Sequence, residues 1–198
     1  MFTERTLAAC QQRFCNGDPL RTVSVSMKSD KPTSVTLDTC LFYDKAVKRE
    51  GNADFDRIIE FVTSGRLRLF FTGTTDFEDT SGAATRLTIK LMSKRLLQED
   101  PNAGMHNEYM PGGPGLHVVD ENTCEALLNL IWPDEQWKSA SDNKRNDVFH
   151  LLAHQKNGRQ VFLTRDKKIL QKKAALKDKL KITVMAPNEL VSLVSLQR

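Results

Sequence analysis

The sequence predicts an α/β fold: a three-layer sandwich with a central, mostly parallel five-stranded sheet, preceded by an N-terminal extension. Three observations carry this expectation. Short β-rich runs alternate along the chain with segments of helical apolar spacing, as in parallel sheets built from strand–helix–strand units. Some of those runs are apolar on nearly every residue, as strands buried on both faces are. Acids stand at the ends of the runs, at the edge where open α/β sheets place their ligands.

The bulk numbers fit one elaborated domain. The chain has 198 residues, 39% apolar and 27% charged, enough to bury a real core and too apolar for a disordered protein. No apolar run reaches membrane-spanning length. Glu4, Arg5 and Arg13 interrupt the N-terminal segment and argue against a secretory signal. Cys10, Cys15, Cys40 and Cys124 are scattered without a paired metal-ligand spacing, which suits reduced thiols in a cytoplasmic protein. Net charge is +4, but Lys144 to Lys181 holds 12 basic and 3 acidic residues, leaving 17 basic against 22 acidic elsewhere. A basic third on an acidic chain suits a phosphate-backbone partner. Two solvated helices with ordinary lysine faces account for the lysines equally well.

Taken in order, residues 1–30 form an extension with one short helix before Asn16-Gly17-Asp18-Pro19 and an alternating strand over 21–29. The domain proper is expected over 31–198. SVTLDTCLFY (34–43) reads as a buried central strand carrying one acid, Asp38. An ionised group there is costly unless it is paired or metal-bound; placed at the strand's end, it could also cap the next helix. Residues 45–52 read as a polar connection. Phe55, Ile58, Ile59 and Val62 give a helix stopped by Gly65, and RLRLFFT (66–72) a second strand. An acid-rich turn over 73–79 leads into a helix expected over 80–98. Residues 99–115, with Pro111-Gly112-Gly113-Pro114-Gly115, form a long loop. LHVVD (116–120) reads as a third strand, and Asn122 with Glu125 as a capping-box start to the following helix.

The most informative stretch is 142–170, DNKRNDVFHLLAHQKNGRQVFLTRDKKIL. It reads as a helix, a stop at Gly158, a strand over 160–163, and then Asp166. Asp147 is placed in the first turn of its helix, where the macrodipole favours a carboxylate. A basic helix over 167–176, a strand over 181–185 and a last helix opened by Pro187 complete the chain.

With right-handed connections, Asp38, the acids of 76–79, Asp142, Asp147 and Asp166 all fall on one edge of the sheet. Converging carboxylates repel unless a cation intervenes. An all-oxygen donor set selects Mg2+ or Mn2+ over zinc, and such ions serve phosphodiester hydrolysis by activating water and holding a phosphate oxygen. RNA drawn in by the basic helices would supply that phosphate.

On these residues the chain resembles the PIN domains, a family of metal-dependent ribonucleases and structure-specific nucleases. The resemblance rests on VTLDTCLF, an acid after the second strand, NDVFHLLAHQKNGRQVFLTRDKKIL and ITVMAPNELV, and spans about residues 33–196. It implies Asp38, Glu78, Asp147 and Asp166 as metal-holding catalytic acids, with Asp76 and Asp79 as alternatives to Glu78. It implies Thr39 and Thr164 as orienting hydroxyls, though turn and strand-end chemistry explains them too. Asp142 is an additional acid that either supports the metal shell or is solvated. Lys144, Arg145, Arg165, Lys167 and Lys168 are the expected contacts to the RNA backbone. The implied activity is endoribonucleolytic; the partners left open are a second copy of the chain and an antitoxin or other protein. The strand over 21–27 and the 99–115 loop depart from the compact members of the family.

Other chemistries fit less well. A haloacid-dehalogenase-type phosphatase needs a second acid two residues after Asp38, where Cys40 stands. Nothing else in the sequence supports Cys40 as a nucleophile, and small buried thiols are common in strands. His150 and His154, four apart, have the spacing of zinc ligands but lack a flanking glutamate motif; they read as helix-surface residues or as partly buried against the sheet. The main alternative from another class is a PIN-like nucleic-acid-binding or assembly module with little or no cleavage.

Overall fold

The computed structural model describes residues 31–46, 52–72, 82–99 and 121–196. The expectations for 1–30, for the acids of 73–81, for the loop after Glu99 and for a strand over 116–120 lie outside the described residues.

At the centre is β1, Thr33–Leu37. Three of its five residues, Thr33, Val35 and Thr36, are β-branched, and Val35, Thr36 and Leu37 are all buried. Since successive strand residues point to opposite faces, both faces of β1 are covered. β2, Leu67–Phe71, pairs with β1 on one side, and β4, Val161–Leu163, on the other. β3, Leu97–Glu99, extends the sheet beyond β2, and β5, Val184–Met185, extends it beyond β4. The order is β3-β2-β1-β4-β5 and every pairing is parallel. The α/β class is therefore as expected, and among the described residues the sheet is wholly parallel.

Several elements differ from the sequence expectation. The run 34–43 is not one strand: β1 ends at Leu37 and α1, Thr39–Ala46, begins at once, burying Leu41 and Phe42. A strand and a helix each buried here give the same continuous apolar text, so periodicity could not separate them. Asp38 marks the corner. Its N–H still continues the β1–β4 ladder to Leu163 O at 3.0 Å, while its carbonyl accepts from Leu41 N at 3.1 Å. Of the polar connection expected over 45–52, Lys45 and Ala46 belong to α1, Asn52 opens the next helix, and residues 47–51 lie outside the described residues.

α2, Asn52–Thr63, buries Phe55, Ile58 and Phe61 along one stripe. It stops where Gly65 takes φ +74°, which lets Arg66 N reach Phe61 O at 2.9 Å. α3, Ala83–Ser93, ends earlier than expected. Arg95 adopts φ +58°, a left-handed turn unusual for a non-glycine residue. The chain then re-enters the sheet as β3, over residues assigned from sequence to the end of the helix.

α4, Glu121–Ile131, buries Cys124, Leu127, Leu128 and Ile131. Asn122 lies inside the helix, and Glu125 accepts from Trp137 N at 2.7 Å and Asn129 Nδ2 at 3.1 Å, tying down the 3-10 turn Trp137–Ser139. α5, Asp142–Lys156, is buried on nearly every side from Val148 to His154. The basic helix expected over 167–176 is two helices, α6, Lys167–Gln171, and α7, Lys173–Leu180, broken at Lys172. α8, Pro187–Ser195, opens on a proline, and Glu189 Oε2 accepts from Ala186 N at 2.7 Å.

One face of the sheet carries Thr36, Phe70, Phe162 and Val184, in register across four strands. Phe162 and Val184 join the core formed with α4, α5, α6 and α7. The other face carries Val35, Leu69, Leu97 and Val161, all buried. The chain builds β1, β2 and β3 to one side, then crosses back to β4 and β5 on the other. The strand order thus reverses between β1 and β4, and the crevice beyond their carboxyl ends is where such sheets bind ligands.

Candidate active site

A cleft of about 330 Å3 opens at this switch point. β1 delivers Asp38 to it; α1 adds Thr39, Cys40, Tyr43 and Asp44. α5 contributes Asn143 and Asp147, one helical turn apart, and the β4–α6 turn contributes Asp166. Three acids anticipated from the sequence, far apart in the chain, are thereby brought to one cavity. Glu78, Asp76 and Asp79 lie outside the described residues.

Asp147 is not in the first turn of α5, as expected. The helix begins at Asp142, so Asp147 stands in its second turn, closer to the sheet. Asp142 occupies the first turn, is exposed and lies 3.6 Å from Arg145 Nη1. It is a solvated helix-start acid, apart from the residues that line the cleft.

Asp38 is buried, at 3% exposure. Its Oδ2 accepts from the Thr164 hydroxyl, and from Cys40 Sγ at 3.3 Å; its Oδ1 lies 3.7 Å from His150 Nδ1. Burial pushes its pKa up, but His150, Thr164 and Cys40 together outweigh burial and hold it below the usual carboxylate range. Burial, and then the Asp38 charge, push the Cys40 thiol well up. A thiol held in its protonated form is a poor nucleophile, which agrees with setting Cys40 aside. Cys40 and Cys124 form no disulfide.

Thr164 links two of the acids. Its hydroxyl donates to Asp38 and accepts from Asp166 N at 2.9 Å. Asp166 caps α6, its Oδ1 accepting from Lys168 N at 2.6 Å and Ile169 N at 3.1 Å. Thr39 lines the cleft as well; its Oγ1 is buried and has no hydrogen-bond partner among the described residues.

The histidines sit deeper than the sequence suggested. His150 and His154 are each 1% exposed. His154 Nδ1 meets Thr36 Oγ1 at 2.9 Å, and its ring packs edge-on against Phe162. Four helical residues rise about 6 Å, close to the spacing of two strand residues. α5 therefore runs antiparallel over β1, with His154 above Thr36 and His150 above Asp38. The same register carries Asp147 and Asn143 past the sheet edge to the cleft. The histidines thus engage the strand, and among the described residues no group of three or more His, Cys, Asp or Glu is placed to hold a metal ion. The sequence did hold a signal for this. Thr36 and Asp38 share a strand face at the spacing at which His150 and His154 share a helix face.

The basic residues divide. Lys144 pairs with Glu135, and Arg145 donates to Trp137 O at 3.2 Å and Lys138 O at 2.9 Å while lying over the Trp137 ring. Arg145 holds α5 to the 3-10 turn, and Lys144 holds it to the segment just before that turn. Arg165 Nη1 donates to Asp44 Oδ2 at 3.1 Å, offsetting one of the cleft carboxylates. Lys167 and Lys168 are exposed beside Asp166.

The cleft acids fit a hard divalent cation in donor type, since they offer oxygen alone. Magnesium keeps several waters and takes one or two carboxylates plus substrate phosphate, so it asks fewer ligands of the protein than a closed cage does. Thr39 lines the same wall and carries a further oxygen, a buried hydroxyl with no hydrogen-bond partner among the described residues.

No family model, curated protein or solved structure matches the chain. Fold and site define its class: an α/β protein with a five-stranded parallel sheet and a carboxylate-lined cleft at the switch point. Among the described residues no helix is long and apolar enough to cross a membrane.

Proposed function

We propose that the chain is a PIN-like, Mg2+- or Mn2+-dependent endoribonuclease. The observation that carries the reading is the convergence of Asp38, Asp147 and Asp166 in one cleft, with Thr164 hydrogen-bonded to both Asp38 and Asp166. Glu78 is the proposed fourth acid. When bound, the ion would polarise the scissile phosphate and lower the pKa of an attacking water.

The chain's own residues prepare that chemistry. Asp38 is kept ionised although buried, so it is ready to attract a cation without first losing a proton. Asp166 is fixed by two backbone N–H groups, and its place relative to Asp38 is set through Thr164. Acids fixed in advance need no reorganisation when charge develops on the phosphate. Lys167 and Lys168, exposed next to Asp166, are the proposed first contacts to the RNA backbone. Cytoplasmic location is part of this proposal, as is pairing with a second copy or with a protein partner.

One observation favours a second reading, a nucleic-acid-binding or assembly module without cleavage. Both oxygens of Asp38 face groups of its own chain: Thr164 and Cys40 on one, His150 on the other. A single assay separates the two readings. Wild type, Asp38→Asn and Asp166→Asn are incubated with mixed single-stranded and structured RNA in manganese, magnesium or EDTA. The nuclease reading expects metal-dependent cleavage that both variants lose. Equal background in every sample, with RNA still bound, would favour the binding module.

A further inference from the structure

The connection that leads from the cleft back to β5 is basic along its whole length. Lys167 to Lys181, spanning α6 and α7, holds 7 lysines and one acid, Asp178. A solvated helix face ordinarily mixes both signs of charge. Helix electrostatics does not account for the excess either. Lys167 and Lys168 open α6, and Lys172 and Lys173 open α7, the end at which the backbone dipole disfavours a cation.

Three of these lysines form a line. Lys168, Lys172 and Lys179 follow the helical spacing i, i+4, i+11, with the small Ala175 at i+7 between them. The break at Lys172 keeps that face in step: Lys172 N donates to Ile169 O at 3.0 Å, and Lys172 O accepts from Leu176 N at 2.9 Å. Both helices are held in place. Ile169 and Leu176 are buried in the core, Leu170 and Leu180 pack against it, and Gln155 Nε2 donates to Leu180 O at 2.9 Å. Lys168 and Lys179 are exposed and Lys172 is half-buried, and none of the three side chains has a partner among the described residues. Lys45, Lys144 and Lys173, by contrast, are each paired with an acid.

We propose that Lys168, Lys172 and Lys179 form a track for the phosphate backbone of an RNA strand leaving the cleft, so that the chain grips its substrate well beyond the point of attack. The inference rests on reading the cleft as an RNA site and adds the path of the strand. The track runs roughly 16 Å along the two helices, from the cleft edge toward the start of β5. Lysine is a point charge on a flexible stem, which suits a backbone followed without regard to sequence.

The test compares the double variant Lys172→Gln/Lys179→Gln with Lys90→Gln/Lys94→Gln, which removes the same charge from exposed positions on and just after α3. Binding of a long and a short RNA, about 20 and about 4 nucleotides, is read by fluorescence anisotropy in EDTA at several salt concentrations. The track pair should bind the long RNA about 5- to 30-fold more weakly at 0.1 M salt, with a salt slope smaller by about 1.4, as two lost phosphate contacts require. Its binding of the short RNA should match wild type, and Lys172→Arg/Lys179→Arg should restore the long. Equal losses in the two double variants, or an equal loss on the short RNA, overturn the proposal. Lysine-dependent binding to anionic lipid vesicles without any change on RNA overturns it too. Cleavage in manganese is followed on the same proteins. Track-dependent binding without cleavage by wild type supports the track and removes the nuclease reading; cleavage with binding indifferent to Lys172 and Lys179 overturns the track and leaves the nuclease reading standing.

Discussion

His150 Nδ1 stands 3.7 Å from Asp38 Oδ1, with both side chains buried, at the point where α5 crosses the carboxyl end of β1. One turn further along the same helix, His154 meets Thr36. The pair of contacts fixes the height of α5 over the sheet, and with it the reach of Asp147 and Asn143 into the cleft. A side chain that does not line the cleft thereby sets the geometry of two that do.

His150→Leu should disturb the cleft without emptying it. Burial raises the Asp38 pKa, and His150 is the largest influence opposing it. Without His150 the Asp38 carboxyl should titrate at higher pH than in wild type, measured by carboxyl-carbon NMR. Unfolding stability should fall by about 1–3 kcal/mol, the cost of leaving a buried polar group poorly satisfied. An unchanged Asp38 titration would refute the coupling.

His154 predicts an acid limit to stability. Burial, and then the Arg159 charge, push its pKa from 6.5 down to about 3. Between these values the unfolded chain binds a proton that the folded chain does not. Stability from this group is therefore complete above 6.5 and declines as pH falls toward about 3. The whole difference amounts to at most about 5 kcal/mol. Denaturant unfolding across that range should show the slope, and His154→Gln should flatten it.

Asp166 has two separable duties. Asp166→Asn keeps an acceptor for Lys168 N and Ile169 N, so α6 should remain capped, whereas Asp166→Ala should cost about 1 kcal/mol in stability. If the proposed reaction is right, both variants lose metal-dependent cleavage by 100-fold or more, an order of magnitude set by loss of a key charge at a reaction centre. Thermal unfolding beside the cleavage assay separates cap from charge; cleavage retained in Asp166→Asn would place the reaction elsewhere.

The basic residues should behave as two groups. Lys167→Ala and Lys168→Ala should weaken RNA binding and reduce its salt dependence by about one counterion per contact. Lys144→Ala should change RNA binding little and cost about 0–1 kcal/mol of stability, because its charge is already paired with Glu135 near the surface. Anisotropy titrations at several salt concentrations decide between the groups.

The sequence by itself determined the class of fold and most of the acids at the cleft. Glycine stops, a proline start and the alternation of apolar runs are local signals. They placed α2, α5 and α8, located Asp38 and Asp166 at strand ends, and put Asp147 near the start of α5, one turn too early. What the tertiary structure decided is where buried text changes from strand to helix, and which polar groups meet. TCLFY became α1 rather than more of β1 because residues buried in either state have the same apolarity, and only packing selects one. That choice brought Tyr43 and Asp44 to the cleft wall. The last residues of the expected long helix became β3 because a left-handed turn at Arg95 lets them complete the sheet beside β2. Lys144, Arg145 and Arg165 look like free cations in sequence, yet each finds a partner elsewhere in the chain. Charge is written at each position, but whether it faces solvent or another side chain depends on distances that only the folded chain sets.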